Sequence, residues 1–408
     1  MAAGKAGMGL DKFILGLDGL LGVALVAIAA FYFKLTQSLA SAPRLQPVGT
    51  SLPSAPSVDV VIPAYNEADN IRACVEAVLA TELSGAQRFD VWIADDQSTD
   101  ATGAIAAELA AQHGNVHHLV VPPRPEGEVW RGKNWACAQA ANVAQGDYLL
   151  FIDADVRLSP GAIPAALAEA QIHQADLLSC APKIECSCFS EWLVQPIIMS
   201  AIAIAYDFEA INESTAVDNA FAAGPFMLFR RAAYDKIGGH AAIGDVIVED
   251  VELARQIRRH GLKLRYVLGI DLLSVRMYSS FATLWEGWTK NYYLGTEENL
   301  PLTLLSAFTI AMVFVMPWVG LLASLIVTLL KPELSSSIAL LYGLTVLTLA
   351  GYGLLRITGY RQVGVPLRYW WLSSVGGLVV VAIALTSIVK TKTGWGWTWR
   401  GRSLKPQH

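Results

Sequence analysis

The chain has 408 residues, of which 54% are hydrophobic and only 16% charged. Soluble domains carry about 25% charged residues, so the composition excludes a wholly water-solvated protein and calls for a soluble core joined to membrane segments. A net charge of −5 provides no basic field, which excludes nucleic acid as a partner, and the five cysteines (Cys74, Cys137, Cys180, Cys186, Cys188) form neither a disulfide framework nor a zinc pattern.

The first apolar run, residues 13–33, is broken only by Asp18 and flanked by Lys12 and Lys34. About 20 apolar residues span a bilayer, so residues 1–34 are expected to form a transmembrane anchor. Ala40-Ser41-Ala42 resembles a cleavage site, but the run is too long for a signal peptide and its far flank is basic. Residues 35–57 read as a Ser/Pro-rich linker, and residues 58–300 have the charge density of a soluble domain.

Within that domain, strands are predicted at 58–62, 89–94, 116–121 and 148–152, with helices at 69–80 and from Ala101. Strand, helix, strand at this spacing predicts an α/β, Rossmann-like, mostly parallel sheet with helices on both faces. Ligands of such sheets bind at the carboxyl ends of the strands, where the acidic motifs fall. Asp95 and Asp96 follow the second strand, Asp153 and Asp155 follow the strand at 148–152, and Glu249 and Asp250 precede a helix expected at 252–260. One acid after a strand is ordinarily a helix cap, and Asp95-x-x-Ser98 suits that reading. Paired acids at three such ends point instead to chemistry. Asp153-x-Asp155 brings two hard carboxylates to one point, which suits Mg²⁺ or Mn²⁺ bridging a diphosphate. Asp250 is the candidate to take a proton from an acceptor hydroxyl, with Glu249 as helper or alternative base.

The stretch 192–206 is too apolar for an exposed loop. It reads either as a buried core helix or as a membrane-dipping helix that admits an apolar acceptor between Asp155 and Asp250. Trp285 and Trp288 at i, i+3 share a helical face and suit the headgroup layer. Three apolar blocks follow, 302–330, 337–355 and 367–389, separated by Lys331-Pro332-Glu333 and by 356–368. Residues 301–390 are therefore expected to hold two or three transmembrane segments, and 391–408 a basic, Trp-rich tail. Three spans after a cytosolic domain would put Lys390, Lys392, Arg400, Arg402 and Lys405 outside, against the positive-inside tendency. Either one block is re-entrant or interfacial, or the tendency is overridden. His113, His117, His118 and His240 lack metal-like spacing and read as surface or capping residues.

Val60-Val61-Ile62-Pro63-Ala64-Tyr65-Asn66-Glu67, Asp95-Asp96-x-Ser98-x-Asp100, Gly132-Lys133, Asp153-Ala154-Asp155 and Glu249-Asp250 together resemble the ordered motifs of family 2 glycosyltransferases, across about 58–291. The resemblance implies the fold called GT-A and sugar transfer with inversion. It implies that Pro63, Tyr65 and Glu67 line the nucleotide pocket, that Asp96 or Asp95 holds the uracil or ribose, and that Lys133 sits near the diphosphate as a point charge. Asp153 and Asp155 would take sugar-phosphate and metal, and Asp250 would be the base. The run from Ala223 to Arg231, with Gly224 and Pro225, looks like the acceptor-side region. Many processive or lipid-directed members carry Gln-x-x-Arg-Trp after the base. This sequence has none, and Arg276 or Lys290 is left to supply the cation to the diphosphate.

Hopanoid-associated and carotenoid glycosyltransferases are the members it most resembles. The implied activity is transfer from a UDP-sugar donor to the hydroxyl of a membrane lipid, with an isoprenoid-type acceptor such as a carotenoid or hopanoid favoured. A polysaccharide synthase or a sphingolipid or diacylglycerol glucosyltransferase is the alternative. The implied location is a multi-pass integral membrane protein in the lipid bilayer, its catalytic domain facing the cytoplasm.

Overall fold

The computed structural model describes residues 2–47, 56–81, 89–330, 335–399 and 402–403. The expected break at Lys331-Pro332-Glu333, part of the expected linker, and Arg400 and Lys405 of the tail lie outside the described residues. The chain forms two compact units. One comprises Ser41–Glu185 and Tyr206–Met277; the other comprises residues 2–40, Cys186–Ala205 and 278–399.

The first unit is α/β. Its strands are β1 (Val58–Ala64), β2 (Phe89–Asp95), β3 (Val116–Val120), β4 (Tyr148–Ile152), β5 (Val156–Leu158), β6 (Leu177–Ala181), β7 (Lys183–Ile184), β8 (Phe226–Arg230), β9 (Leu264–Leu268) and β10 (Leu273–Val275). A seven-stranded sheet has the order β3-β2-β1-β4-β8-β6-β9, and β5, β10 and β7 make a small second sheet. β1 pairs in parallel with both β2 and β4, so Val60 lies between Val91 and Leu150. Only β8 runs against both its neighbours, β4 and β6.

The central strands read as unbroken apolar runs because both faces are covered. Val60, Ile62, Ile93, Leu150 and Ile152 share one core with Ile71, Cys74 and Val78 of helix Ile71–Leu79 and with Ala162 to Ala170. Phe151, one residue out of phase, instead stacks on Tyr234 and packs against the tilted His240 ring on the other face. Pro63 sits in β1 beyond the last pair with β4, Val61 opposite Phe151, so its missing N–H costs no bond on that side. Asp59 is buried in β1, and its Oδ2 accepts N–H bonds from Gln145 and Gly146 at 2.5 and 2.6 Å. A Cβ at Gly146 would lie 2.8 Å from the Asp59 amide nitrogen, so only glycine fits that turn.

The second unit is helical. Four stretches, Lys12–Ser41, Leu300–Leu330, Ser336–Val363 and Trp370–Thr393, are long and apolar enough to cross a membrane. The first helix continues to Ser41, past the expected start of the linker at 35, and the polar stretch after residue 355 stays helical to Val363. The helix Leu300–Leu330 carries a π-turn at Ala311–Val315. The apolar segment after Cys188 is helix Phe189–Ala205, and it packs inside the helical unit against helix Ser373–Thr393. The approach is close enough that a Cβ at Gly376 would stand 2.3 Å from the Leu193 carbonyl oxygen.

Candidate active site

The acidic motifs come together at the carboxyl ends of the central strands. β4 ends at Ile152, so Asp153 and Asp155 occupy the turn into β5. Lys133 stands in the first turn of helix Gly132–Val143, and its Nζ lies 2.6 Å from both Asp153 Oδ1 and Glu249 Oε1. Burial pulls the Lys133 pKa down, but the Asp153 and Glu249 charges outweigh it and hold the ammonium well above its ordinary value. A cation held between two carboxylates this way stays charged.

Glu249 and Asp250 do not precede their helix as expected. They begin it, in the first turn of Glu249–Arg259 together with Glu252. Negative charge is favoured there because the unpaired N–H groups of a helix start make its N-terminus positive. Asp250 Oδ2 accepts the Gly224 N–H at 2.9 Å, and Oδ1 accepts the Val251 N–H at 2.9 Å. Burial, reinforced by the neighbouring Glu249 charge, raises the Asp250 pKa from 3.8 to about 6, against the opposing pull of Lys133 and the two N–H bonds. Gly224 lies where a Cβ would come within 3.1 Å of Asp250 Oδ2 and 3.4 Å of Lys133 Nζ. The main chain before β8, the lysine and the three acids Asp153, Glu249 and Asp250 thus converge on one place.

The loops after β1 and β2 are laced into a single wall. Asn66 adopts φ +54°, donates its N–H to Ser98 Oγ at 3.0 Å and accepts the Thr99 N–H at 2.8 Å. Asp100 accepts from Thr102 N–H and Ala68 N–H. Glu67 Oε2 accepts from Asn70, whose Oδ1 in turn accepts from Arg157 at 3.5 Å. Asp95 and Asp96 part company here. Asp95 Oδ1 accepts the Ser98 N–H at 2.9 Å and stabilises its own turn, which is the capping role. Asp96, almost fully buried, takes an ion pair with Arg124 at 2.6 Å.

Trp285, Trp288 and Lys290 belong to helix Phe281–Gly295 of the helical unit. Trp288 is not a headgroup residue: it is buried and donates its indole N–H to Gln195 Oε1 at 2.7 Å. Lys290 Nζ sits 4.4 Å from the Trp399 ring centre. Arg276, by contrast, is in the α/β unit with the acids, and its N–H points to the Asp155 carbonyl at 3.5 Å. His240 is neither surface nor cap. It is buried, its Nδ1 lies 2.9 Å from Tyr234 Oη, and burial with the Lys133 charge lowers its pKa to about 3.

Two positioning groups escaped sequence reasoning. One is Arg124, after β3, whose guanidinium pairs with Asp96 at 2.6 Å. Asn134, directly after Lys133, is buried and donates its side-chain amide to the carbonyls of Ile243, Gly244 and Val246 at 2.8, 3.2 and 2.9 Å. Arg131 adds bonds to Gly244 and Asp245. Helix Gly132–Val143 therefore grips the loop that leads into Glu249 and Asp250. An Asn next to the Gly-Lys pair was the one available signal.

Asp153 and Asp155 offer two carboxylates in the turn after β4. Among the described residues no cluster of three or more His, Cys, Asp or Glu is placed to hold an ion. A pair of hard carboxylates completed by phosphate oxygens and water is what Mg²⁺-type ions take in diphosphate sites. These two residues fit that pattern.

Residues 59–238 match the family model described as Glycosyl transferase family 2, a stretch that includes Lys133, Asp153, Asp155 and Gly224 and stops short of Glu249. The chain is 28% identical over 248 residues to a 4,4'-diaponeurosporenoate glycosyltransferase of Staphylococcus haemolyticus, covering 60% of this chain and 63% of the relative. It is 27% identical over 248 residues, with the same coverage of 60% and 63%, to the protein of that name from Staphylococcus aureus. The alignment thus spans 63% of the length of these curated relatives. The mannosyltransferase PcManGT from Pyrobaculum calidifontis, solved with GDP-Man and Mn²⁺, is similar in structure with a TM-score of 0.53 at 15% identity, covering 93% of this chain and 99% of that one. That likeness shows the shared GT-A fold. Residues 59–238 are thus similar to family 2 glycosyl transferases.

Proposed function

We propose that the protein is a metal-dependent, inverting glycosyltransferase that moves a sugar from a UDP-sugar to the hydroxyl of a membrane lipid, with an isoprenoid-type acceptor favoured. The observation that carries this reading is the convergence of Lys133, Asp153, Glu249 and Asp250 beside the Gly224 main chain. The names of the Staphylococcus relatives support a carotenoid-like acceptor. The four long apolar helices support a multi-pass membrane protein, and a nucleotide-sugar donor supports a catalytic unit facing the cytoplasm.

In this reading Asp250 accepts the proton of the acceptor hydroxyl. Its Gly224 and Val251 bonds fix the carboxylate orientation, and a pKa of about 6 keeps it ionised at neutral pH yet basic enough to take a proton. Lys133 places a fixed positive charge where the diphosphate departs. Asp153 and Asp155 would hold Mg²⁺ or Mn²⁺, which when bound supplies charge neutralisation for the diphosphate leaving group. Asp96, oriented by Arg124, binds the uracil or ribose, and Pro63, Tyr65 and Glu67 form the wall against the nucleotide. Arg276, whose N–H points to the Asp155 carbonyl, is the cation assigned to the diphosphate.

The test is a transfer assay with detergent-purified protein, labelled UDP-sugars and total lipid of the source membranes. Label in the organic extract is expected. Label confined to water-soluble or insoluble polymer would point to a polysaccharide synthase instead.

A further inference from the structure

The helical unit does not have the up-and-down order that four apolar helices would suggest. Its contacts fix the direction of each helix relative to Leu300–Leu330. Along the first helix, a Cβ at Gly320 would touch Leu21, and Phe31 packs edge-on to Phe314 at 5.7 Å, so this helix runs antiparallel to Leu300–Leu330. Helix Ser336–Val363 does the same, with Tyr342 on Thr328 at 2.8 Å, Thr345 on Ser324 at 3.2 Å and Tyr352 on Phe314 at 6.0 Å. Helix Ser373–Thr393 is antiparallel to it as well. Trp318 Nε1 donates to Ser373 Oγ at 2.8 Å, a Cβ at Gly377 would meet Val315 and Phe314, and Ser387 bonds the Tyr293 N–H at 2.9 Å near the start of Leu300–Leu330. The last two apolar helices therefore point the same way.

What joins them is a fold-back rather than a crossing. Gly364 adopts φ +69° and ends the third helix, and the chain then retraces it. The Val365 N–H bonds the Gly359 carbonyl, Arg356 bonds the Pro366 carbonyl, and the Tyr352 hydroxyl bonds the Trp370 carbonyl at 3.1 Å. Each step reaches further back along the helix. The tip at Ser373 is level with Trp318, twelve residues short of Leu330, or roughly 18 Å at helical rise. Non-helical backbone at membrane depth is tolerated where protein buries it and satisfies its carbonyls. Arg356 and Tyr352, both buried, do that here.

We infer that residues 364–393 form a re-entrant hairpin that enters and leaves the bilayer on one face, so the chain crosses three times and its basic C-terminus emerges on the face where Ser41–Glu185 begins. The exit carries Lys390, Lys392 and the exposed Trp395, a set suited to anionic headgroups of that leaflet. The conflict between three C-terminal spans and the positive tail disappears. The inference rests on the membrane reading proposed above but not on sugar transfer.

The experiment places epitopes at the N-terminus, at the C-terminus and in the open turn at Gly114 of the full chain, then digests sealed vesicles of both orientations. Alkaline extraction of the same vesicles checks membrane integration separately. The Gly114 and C-terminal epitopes should be cut in one orientation and the N-terminal epitope in the other. A C-terminal epitope cut together with the N-terminal one would mean four alternating crossings and would overturn the hairpin. Cutting of all three from one side would overturn it too.

Discussion

Replacing Asp250 by asparagine separates stability from catalysis in a way the geometry makes quantitative. Both carboxylate oxygens accept main-chain N–H bonds, from Gly224 and Val251. An amide has one acceptor oxygen, so one N–H would face an NH₂ group, at a cost of about 1–3 kcal/mol. Against this stands the charge itself. With its pKa raised from 3.8 to about 6, the folded state binds this proton more tightly than the unfolded chain does. The contribution is favourable below pH 4 and is lost as pH rises through 6. Between pH 4 and pH 8 ionisation of this group therefore removes roughly 3 kcal/mol of stability, at about 1.4 kcal/mol per pKa unit. Removing that charge offsets the lost hydrogen bond, so Asp250→Asn should unfold within about 2 kcal/mol of the parent at pH 8. Turnover should fall by about 10²–10⁴-fold, the usual worth of a general base. The parent's kcat/KM should drop below pH 6 as the base protonates, and the variant should lose that limb. Calorimetry for donor affinity, denaturant melts at pH 5 and 8, and a pH–rate profile read all three. Turnover within tenfold of the parent with the limb at pH 6 intact would refute the base assignment; a collapse of donor affinity would make Asp250 a binding residue.

Other expectations follow from the same cluster. Lys133→Met removes the charge that holds the Asp250 pKa down, so the acidic limb should move above pH 6, and leaving Asp153 and Glu249 face to face should cost about 2 kcal/mol, between surface and buried pairs. Gly224→Ala puts a Cβ 3.1 Å from Asp250 Oδ2, so kcat should fall about tenfold, equivalent to ~1.4 kcal/mol of barrier, with a thermal midpoint close to the parent's. Asn134→Leu strips three carbonyl contacts from the loop before Glu249 and should lower stability by about 2–3 kcal/mol in a urea melt, with kcat falling more than donor affinity. Arg124→Met leaves Asp96 buried without its cation and should raise the KM for the nucleotide sugar while sparing kcat.

The α/β core was legible because its strands are buried on both faces and so appear as apolar runs such as 148–152, bounded by acids. The acids at strand ends were legible for the same reason: a carboxylate just after a buried run has few places to go but the ligand face. Local pattern could not reveal that β8 inserts antiparallel between β4 and β6, or that Glu249 starts its helix, since both depend on contacts distant in sequence. His240 and Trp288 were misread because spacing says nothing of burial. Tyr234 makes the buried histidine tolerable, and Gln195 does so for the tryptophan. The fold-back after Gly364 was hidden for another reason. Hydropathy counts apolar helices but carries no direction, and only side-chain pairs such as Trp318–Ser373 supply it.

We propose that Asp153 and Asp155 bind a metal–diphosphate beside Lys133, with Asp250 facing the acceptor. Titrating UDP into Asp155→Ala and parent protein, with and without Mn²⁺, tests it most directly. The parent should bind UDP far more tightly with Mn²⁺, and the variant should show the same weak binding in both conditions. Metal-enhanced UDP binding preserved in the variant would contradict the claim.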